Sequence, residues 1–371
     1  MKTQCHREGL LAACQLVSAA IPAKDLKPIL KNLKAVAGDG RWTLIATDLE
    51  VGIRLDVQGL QILEPGEAIL PAARLVSILR EARDAEVLIQ ADSDACTVSG
   101  TTSPVEFEMA SEDPAQFPDF PEFTDERYHE ISAGSLREMI RRTSFAAADE
   151  TARYTMTGVL FELEGDSAKL VATDGRRLAL AEGIATSVGG HTTRGFTPIV
   201  PKKAMALLER NLADDPEETI KVCIRPNDVL FRTGRAVIYS RLVDGRFPDY
   251  RGVIPKKMTT TMTLNPAAFH AAVRQAAIMT DNDGKRVTFS FTPQKLTLRA
   301  QGAMAGRSKV ELPLSDYDGT PVDINFNPDY LTDMLKILAP DAPLELKLID
   351  AAKPALFRSG EQYSYLVMPL T

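Results

Sequence analysis

The chain repeats one order of sequence elements three times along its length. Each copy contains a strand that ends in a turn, as in WTLIATDLEVGIRLDV from Trp42, AKLVATDGRRLALAEG from Ala168 and, more faintly, KLTLRAQGAMAGRSKVELPL from Lys295. A helical segment headed by proline follows in each copy, as PAARLVSILREA, PKKAMALLERN and NPDYLTDMLKIL. A two-strand pattern then ends at a glycine, at Gly100, Gly234 and Gly360. A repeat of this length predicts three whole domains and not a solenoid of short units.

Each copy also begins with a helix of its own. Apolar residues at i, i+3, i+4 spacing predict amphipathic helices over residues 10–21, 136–148 and 269–279. Ser135 and the pair Asn265 and Pro266 are typical helix starts for the second and third. Short alternating strands bounded by Gly, Asp and Pro turns lie between the helices. Each domain is therefore predicted to be α+β, with two helices on antiparallel sheets.

Two proline-rich joints, FPDFPEFTDERYHE and DGRFPDYRGVIPKK, separate the three copies. Proline stiffens such a joint and its aromatic rings anchor it. We place the domain boundaries at these joints, which predicts domains over residues 1–125, 126–253 and 254–371.

Composition is typical of a cytoplasmic globular protein. The 371 residues are 44% apolar and 25% charged. No stretch approaches the about 20 apolar residues of a membrane helix, and the start MKTQCHREGL has no apolar signal-peptide core. The four cysteines are far apart without a CxxC spacing, and the four histidines are equally scattered. We therefore expect buried free thiols and no zinc site.

Charge is distributed unevenly along the chain. The net charge of −7 alone argues against nucleic acid as a partner, because phosphates repel an acidic surface. However, lysines cluster over residues 24–34, and the helical segments over 74–83, 137–142 and 202–210 are basic. Solvation of a helix surface explains any one of these segments. Their recurrence at equivalent points of the repeat favours a basic surface on an acidic protein.

Three stretches carry a resemblance to a known family. ATDGRRLAL from Ala172, GRFPDYRGVIP from Gly245 and the C-terminal YLVMPLT from Tyr365 resemble signature stretches of the bacterial sliding clamp, the beta subunit of the replicative DNA polymerase. The resemblance covers the whole chain. It implies a head-to-tail homodimer whose six similar domains close into a ring around double-stranded DNA, with helices lining the hole.

The resemblance implies a processivity factor without catalytic activity or cofactor. The partners that it implies are DNA, a second copy of the chain, the alpha subunit of the replicative polymerase, clamp-loader subunits, and repair and translesion polymerases that carry clamp-binding motifs. Basic residues and one tyrosine would face DNA phosphates, which gives attraction without sequence readout. These residues are Lys24, Arg74, Arg80, Arg137, Arg141, Arg142, Tyr154, Lys202 and Lys203.

Two further surfaces follow from the same resemblance. An apolar groove between the second and third domains would bind a short apolar peptide, because Leu, Val, Met and Pro form an adaptable slot. Its residues are Met156, Thr173, Gly175, Arg176, Arg177, Leu178, Pro248, Val253, Asn327, Tyr330, Met368, Pro369 and Leu370. The dimer contact would join the edge strand VEFEMA to the end of the third domain's first helix. Its residues are Phe107, Met109, Arg274, Ile278 and Met279.

Two other functions stay open at this point. Asp174, Arg176 and Arg177 would form the acid and anion site of an enzyme, which predicts a polar pocket with His or Ser nearby. Because tight turns also use Asp and Gly, we favour a turn at this position. A peptide-binding scaffold that never holds DNA predicts no functional effect from reversing the helix charges.

The chain departs from the usual family pattern in the groove region at Arg176, Gly252 and Thr371.

Overall fold

The computed structural model of this protein consists of two compact units. The structure describes residues 1–22, 27–92, 94–149, 154–213, 215–281, 285–302 and 306–370. Unit 1 contains Met1–Gly134, Ala185–Thr193 and Lys203–Leu242, and unit 2 contains Ser135–Ile184, Arg194–Lys202 and Val243–Thr371. The middle repeat therefore contributes to both units.

The described ranges contain two α-helices for each repeat, as predicted. They are α1 Arg7–Ser18, α2 Ala72–Glu81, α3 Ala133–Thr143, α4 Lys202–Asn211, α5 Pro266–Ala277 and α6 Pro328–Leu335. The helices are amphipathic, and α1 for example buries Leu10, Cys14 and Val17. None of these helices is long and apolar enough to cross a membrane.

Two helix starts differ from the prediction. The first helix begins at Arg7, three residues before the expected start. The opening helix of the second repeat, α3, begins at Ala133, so Ser135 lies inside it and not at its N-terminus. The backbone N–H groups of Ala133 and Gly134 donate to main-chain oxygens of Glu218 and Pro216, at 2.8 and 2.9 Å. These bonds satisfy two of the four N–H groups that the first turn of a helix leaves without an intrahelical partner.

The helix start predicted at Asn265 and Pro266 is confirmed. The Asn265 side chain accepts a hydrogen bond from Ala268 N at 2.9 Å, with Pro266 in the first turn. Asn327 caps α6 in the same way by accepting from Asp329 N at 2.9 Å. Asparagine caps and proline in the first turn are both favoured at helix N-termini.

Unit 1 contains two antiparallel sheets. The strands of the first are β1 Lys2–His6, β5 Leu60–Glu64, β7 Glu86–Ala91, β8 Ala95–Gly100 and β9 Glu106–Ala110, in the order β5-β1-β7-β8-β9. The strands of the second are β2 Leu33–Gly38, β3 Arg41–Thr47, β4 Val51–Val57, β6 Gly66–Leu70, β10 Tyr128–Ser132, β14 Thr186–Val188, β16 Thr219–Ile224, β17 Asp228–Arg232 and β18 Ala236–Arg241. Their order is β14-β10-β16-β17-β18-β4-β3-β2-β6.

Unit 2 is organised in the same way. The strands of its larger sheet are β11 Gly158–Glu164, β12 Ser167–Thr173, β13 Arg177–Ile184, β15 Ile199–Pro201, β19 Thr260–Leu264, β23 Tyr317–Gly319, β25 Leu344–Leu348, β26 Ala355–Ser359 and β27 Tyr363–Val367. They follow the order β15-β11-β12-β13-β27-β26-β25-β19-β23. The smaller sheet contains β20 Val287–Phe291, β21 Lys295–Gly302, β22 Gly306–Pro313 and β24 Val322–Phe326, in the order β22-β21-β20-β24.

One strand pairing in each nine-stranded sheet joins two repeats. In unit 1, β4 pairs with β18, and Ile53 lies opposite Ile238. In unit 2, β13 pairs with β27, and Leu178 lies opposite Leu366. Because the backbone hydrogen bonds continue from one repeat to the next, the compact units follow the sheets and not the repeats.

Helices and sheets enclose apolar cores. Trp42 and Leu75 are fully buried in unit 1. In unit 2 the ring of Phe289 lies 6.2 Å from that of Phe269 and 5.4 Å from that of Phe326. All four cysteines are buried free thiols, as expected. Burial raises the pKa of the Cys96 thiol to about 12, which leaves it neutral and unreactive.

Candidate functional site

The turn between β12 and β13 is held by its own side chains. Thr173 Oγ1 donates to Arg177 O at 2.6 Å and accepts from Gly175 N at 3.0 Å. The Asp174 carboxylate accepts from the backbone N–H groups of Arg176 and Arg177, at 2.8 and 3.0 Å. Gly175 has φ +85°, a conformation that glycine adopts without steric cost. The aspartate is therefore a turn residue, as we favoured from the sequence.

A small pocket of about 120 Å³ opens beside this turn, and we call it the groove pocket. Nine of the thirteen predicted groove residues line it: Met156, Thr173, Gly175, Arg176, Arg177, Leu178, Pro248, Val253 and Met368. Leu178 and Leu366 are buried in it, whereas Val253 and Met368 stay half exposed at its rim. The pocket has the apolar character predicted for the groove, while its role in peptide binding stays a prediction.

Four residues that line the groove pocket were not predicted from the sequence: Asp249, Tyr250, Pro354 and Leu366. Three of them lie within the motifs that carry the resemblance, because Asp249 and Tyr250 follow Pro248 in GRFPDYRGVIP and Leu366 lies in YLVMPLT. Pro354 has no such signal. Pro354 lies at the groove pocket because it precedes β26, which pairs with β27.

Four predicted groove residues, Asn327, Tyr330, Pro369 and Leu370, do not line the groove pocket. Asn327 is occupied as the cap of α6. Tyr330 accepts through its backbone oxygen from the Tyr365 hydroxyl at 2.8 Å, and its own hydroxyl lies 3.4 Å from Arg176 Nη1. Leu370 N donates to Asn325 O at 2.8 Å, which fixes the C-terminal segment.

Arg177 is part of the wall of the groove pocket, and its guanidinium is bound mainly by its own unit. Its guanidinium donates to Asp174 at 3.0 Å, to Asp333 at 2.7 Å and to the backbone oxygen of Phe145 at 3.0 Å. It also lies 4.9 Å from the centre of the Tyr330 ring. These contacts use most of its donors, so Arg176, which is exposed, is the arginine available to a ligand.

The predicted DNA-facing residues differ in what they contact. Arg74 and Arg80 of α2 and Arg141 of α3 are exposed, and within the described ranges they form neither a hydrogen bond nor an ion pair. Lys24 lies outside the described residues, and so does the side chain of Tyr154. Three exposed arginines therefore keep the charge that the prediction requires.

Other members of the predicted set are engaged within their own unit. Arg142 pairs with Glu138 at 2.7 Å and lies 5.4 Å from the centre of the Tyr363 ring. Lys202 lies 3.5 Å from Asp149. Lys203 Nζ lies 2.5 Å from the Asp48 carboxylate. Arg137 is half-buried and has a polar partner of its own. Helical spacing is compatible with the Arg142–Glu138 pair, whose members are four residues apart. It does not identify Asp149 or Asp48, which are distant along the chain from Lys202 and Lys203.

The residues predicted for the dimer contact lie in different units. In unit 1, β9 is an edge strand that exposes Phe107, whereas Met109 packs into the interior. The strand does not leave both apolar side chains free, because Met109 is already covered by its own chain. In unit 2, Ile278 directly follows α5 and is strongly exposed, Arg274 is exposed and Met279 is half-buried.

Comparison with known proteins assigns all three repeats. Residues 1–121, 130–249 and 251–371 match the N-terminal, central and C-terminal domains of the DNA polymerase III beta subunit. The predicted α+β fold of three clamp domains is thus confirmed, while the boundaries placed at the joints stay predictions. The beta sliding clamp of Salmonella typhimurium is 31% identical over 380 residues, and that of Escherichia coli K12 is 30% identical over 374, with both chains fully covered.

Solved structures agree with the sequence comparison. A DNA polymerase sliding clamp from Pseudomonas aeruginosa has a TM-score of 0.89 at 27% identity, covering 100% of this chain and 99% of the other. A clamp from Bacillus subtilis has a TM-score of 0.92 at 24% identity, covering 100% and 99%, and shows the shared fold. The fold and its turn motifs define a DNA clamp. The chain belongs to the beta sliding clamp family of bacterial DNA polymerase III.

Proposed function

We propose that this sliding clamp closes as a head-to-tail dimer around double-stranded DNA and holds polymerases there through the groove pocket. The observation that carries the proposal is the succession of three clamp domains over the whole chain. Closure converts a weak, salt-screened attraction into a tether that is lost only when the ring opens. The groove then keeps a bound polymerase at high local concentration near its template.

Exposed arginines would supply the attraction to DNA. Arg74, Arg80 and Arg141 have no competing ion pair in the described part of the chain. Arginine contacts with phosphates are independent of sequence and weaken as salt rises. A ring held by such contacts would slide, because no base is read.

The groove pocket would hold an apolar side chain of a partner peptide. Val253 and Met368 are half exposed beside the buried floor, so a ligand covers their apolar surface on binding. Methionine adapts to ligands of different shape, which suits a pocket shared by several partners. The partners proposed are the replicative polymerase alpha subunit, clamp-loader subunits, and repair and translesion polymerases, all acting in the bacterial cytoplasm.

Closure of the ring would bury exposed apolar residues at its subunit contacts. An unpaired edge strand such as β9 is a hazard in a monomer, and pairing it with another subunit removes that hazard. Phe107 on this strand and Ile278 after α5 are large apolar side chains left exposed by their own chain. We propose that these two side chains meet across the dimer contact.

The proposed clamp has no catalytic role of its own. An enzyme centred on Asp174 would need a free carboxylate, but this carboxylate is bound by the turn and by Arg177. The residues lining the groove pocket include no histidine or serine within the described ranges.

Retention on circular DNA tests the proposal. The protein is loaded onto nicked plasmid with a clamp loader and ATP, then passed through gel filtration at moderate salt. We expect it to stay with the circular plasmid and to escape after the plasmid is cut once. A plasmid cut before loading is the control. Equal loss from circular and linear DNA would exclude topological binding.

A further inference from the structure

The turn between β12 and β13, over residues 173–177, is called the groove turn. Unit 1 contains a pocket beside residues 47–51, the turn that corresponds to the groove turn in the first repeat. The pocket has a volume of about 440 Å³. We call it the first-repeat pocket, and it is lined by Thr47, Leu49, Pro118, Asp119, Phe120, Pro121, Arg225, Asp228 and Tyr239. From its geometry and charge we infer that the first-repeat pocket binds an extended peptide in which an arginine adjoins a bulky apolar side chain.

The repeat relates the turns beside the two pockets residue by residue. Thr47 corresponds to Thr173, and its Oγ1 likewise donates to a backbone oxygen, that of Val51 at 3.1 Å, and accepts from Leu49 N at 2.9 Å. Asp48 accepts from backbone N–H groups two and three residues on, at 3.0 and 2.7 Å, as Asp174 does. Both pockets therefore lie beside a turn of the same construction.

Leu49 is unusual in two respects. It has φ +77° at the position where the groove turn has Gly175 with φ +85°, and bulky residues rarely adopt this conformation. Its side chain is also 42% exposed. Strained residues persist where the surrounding structure holds them, and they cluster at ligand sites. An exposed leucine in a strained turn, at the mouth of a pocket, indicates a binding surface.

One difference between the two repeats changes the wall of the pocket. Gly52 corresponds to Leu178 of the groove pocket, and a Cβ atom at Gly52 would lie 2.8 Å from a ring carbon of Phe120. Glycine at this position therefore allows the Phe120 ring to come close to the turn. The resulting wall is formed by Leu49, Phe120 and two prolines of the joint, Pro118 and Pro121. Such a wall accommodates an apolar side chain.

The charged residues that line the first-repeat pocket indicate which class of peptide it binds. Arg225 is held by Asp228, with Nε 2.8 Å from Oδ1, and lies 4.0 Å from Asp125. Asp119 is exposed and forms no hydrogen bond or ion pair within the described ranges, so the unpaired lining charge is negative. The half-buried Tyr239 also lines this pocket, and an aromatic ring attracts a cation. An arginine side chain satisfies both the carboxylate and the ring.

The turns beside the two pockets carry different charges, which would distinguish the peptide of the first-repeat pocket from the peptide of the groove pocket. Glu50 is exposed at the position that corresponds to Arg176, and its carboxylate lies 3.4 Å from Arg241 Nη1. The turn of the first-repeat pocket therefore carries an ion-paired acid where the groove turn carries an exposed base. A peptide suited to one pocket would meet the wrong charge at the other.

Fluorescence anisotropy with two labelled peptides tests the inference. The first probe is fluorescein-labelled Gly-Ser-Arg-Leu-Phe-Ser-Gly, and the second has glutamate in place of arginine. Both are titrated with the full chain up to about 1 mM, because an isolated pocket of this size gives weak binding. The variants are Leu49→Asn, which tolerates positive φ, and Asp119→Asn. Leu63→Asn is the matched control, since Leu63 is 43% exposed on β5 of the same unit and outside the pocket.

We expect the arginine peptide to bind the wild type and the glutamate peptide not to bind. Leu49→Asn should weaken binding about three- to tenfold, because the ligand covers only the exposed part of that side chain. Asp119→Asn should weaken binding, and Leu63→Asn should not. Absence of binding to the wild type, or equal loss in the two leucine variants, would overturn the inference.

Met368→Ala distinguishes the two pockets. If it abolishes binding of the arginine peptide while Leu49→Asn does not, the probe occupies the groove pocket and the inference is overturned. If Met368→Ala leaves the arginine peptide bound, the inference is supported. This holds even if the same variant shows that the groove does not bind its own proposed peptide, so failure of one proposal does not decide the other.

Discussion

Truncation of the two apolar side chains at the rim of the groove pocket should weaken peptide binding while the fold is preserved. Val253 is 50% exposed and Met368 is 43% exposed in the free chain. Because their exposed surface contributes nothing to the core, replacing both by alanine should change the melting temperature little. The apolar surface that a peptide would cover is lost in the same variant.

The expected loss follows from the exposed fractions. Full burial of a valine or methionine side chain contributes about 1.5 to 3 kcal/mol. A peptide that covers the 50% of Val253 left exposed would gain about 0.7 to 1.5 kcal/mol there. Covering the 43% of Met368 would add about 0.6 to 1.3 kcal/mol. The double variant should therefore bind about ten- to a hundredfold more weakly.

The assay is a titration of the double variant against a labelled short apolar peptide that carries a clamp-binding motif. Ile184→Ala is the control, because Ile184 is 74% exposed in the same unit and does not line the groove pocket. Circular dichroism confirms that all three proteins are folded. A change in Kd of less than about twofold in the double variant, or an equal loss in the control, would refute the reasoning.

Further predictions concern the dimer, the DNA surface and pH. Ile278→Asp should give folded monomers in sedimentation, since a side chain that is 70% exposed supports the contact and not the core; a stable dimer would place the contact elsewhere. Arg141→Glu should shorten residence on nicked circular DNA and reduce its salt dependence by about one phosphate contact, with peptide affinity unchanged. Asp84→Asn should lower the melting temperature, because this carboxylate accepts from the backbone and hydroxyl groups of Thr102. Burial lowers the pKa of His191, so unfolded chains bind a proton more readily, and the melting temperature should fall as pH drops below about 6.5 and fall less in His191→Asn.

Elements fixed by local physics could be predicted from the sequence. Proline-headed helices and glycine-bounded hairpins recur in each repeat because caps and turns depend on neighbouring residues. The turn at Asp174 was predictable for the same reason. The apolar wall of the groove pocket was identified through the family resemblance, and Leu178 and Met368 do line one pocket.

Contacts between distant residues could not be read from the sequence. Lys203 has the position of a DNA-facing residue in a basic helix, yet Asp48 binds it. Met109 alternates with Phe107 along an edge strand, yet only Phe107 stays exposed. Each outcome depends on which chain segment packs alongside, and spacing within one segment carries no information on that. Pro354 joined the groove pocket for the same reason.

The two related turns differ in how they are anchored, and the difference suits the proposed role of the groove. Asp174 binds Arg177 within its own turn, and that arginine continues to Asp333, so the groove turn is tied to α6. Asp48 instead binds Lys203, and the residue that corresponds to Arg177 is the buried Val51. A backbone fixed by several charged bonds keeps its geometry while flexible side chains such as Met368 repack around different ligands. If the groove pocket binds peptides as proposed, this anchoring would let it accept several of them without a change in its backbone.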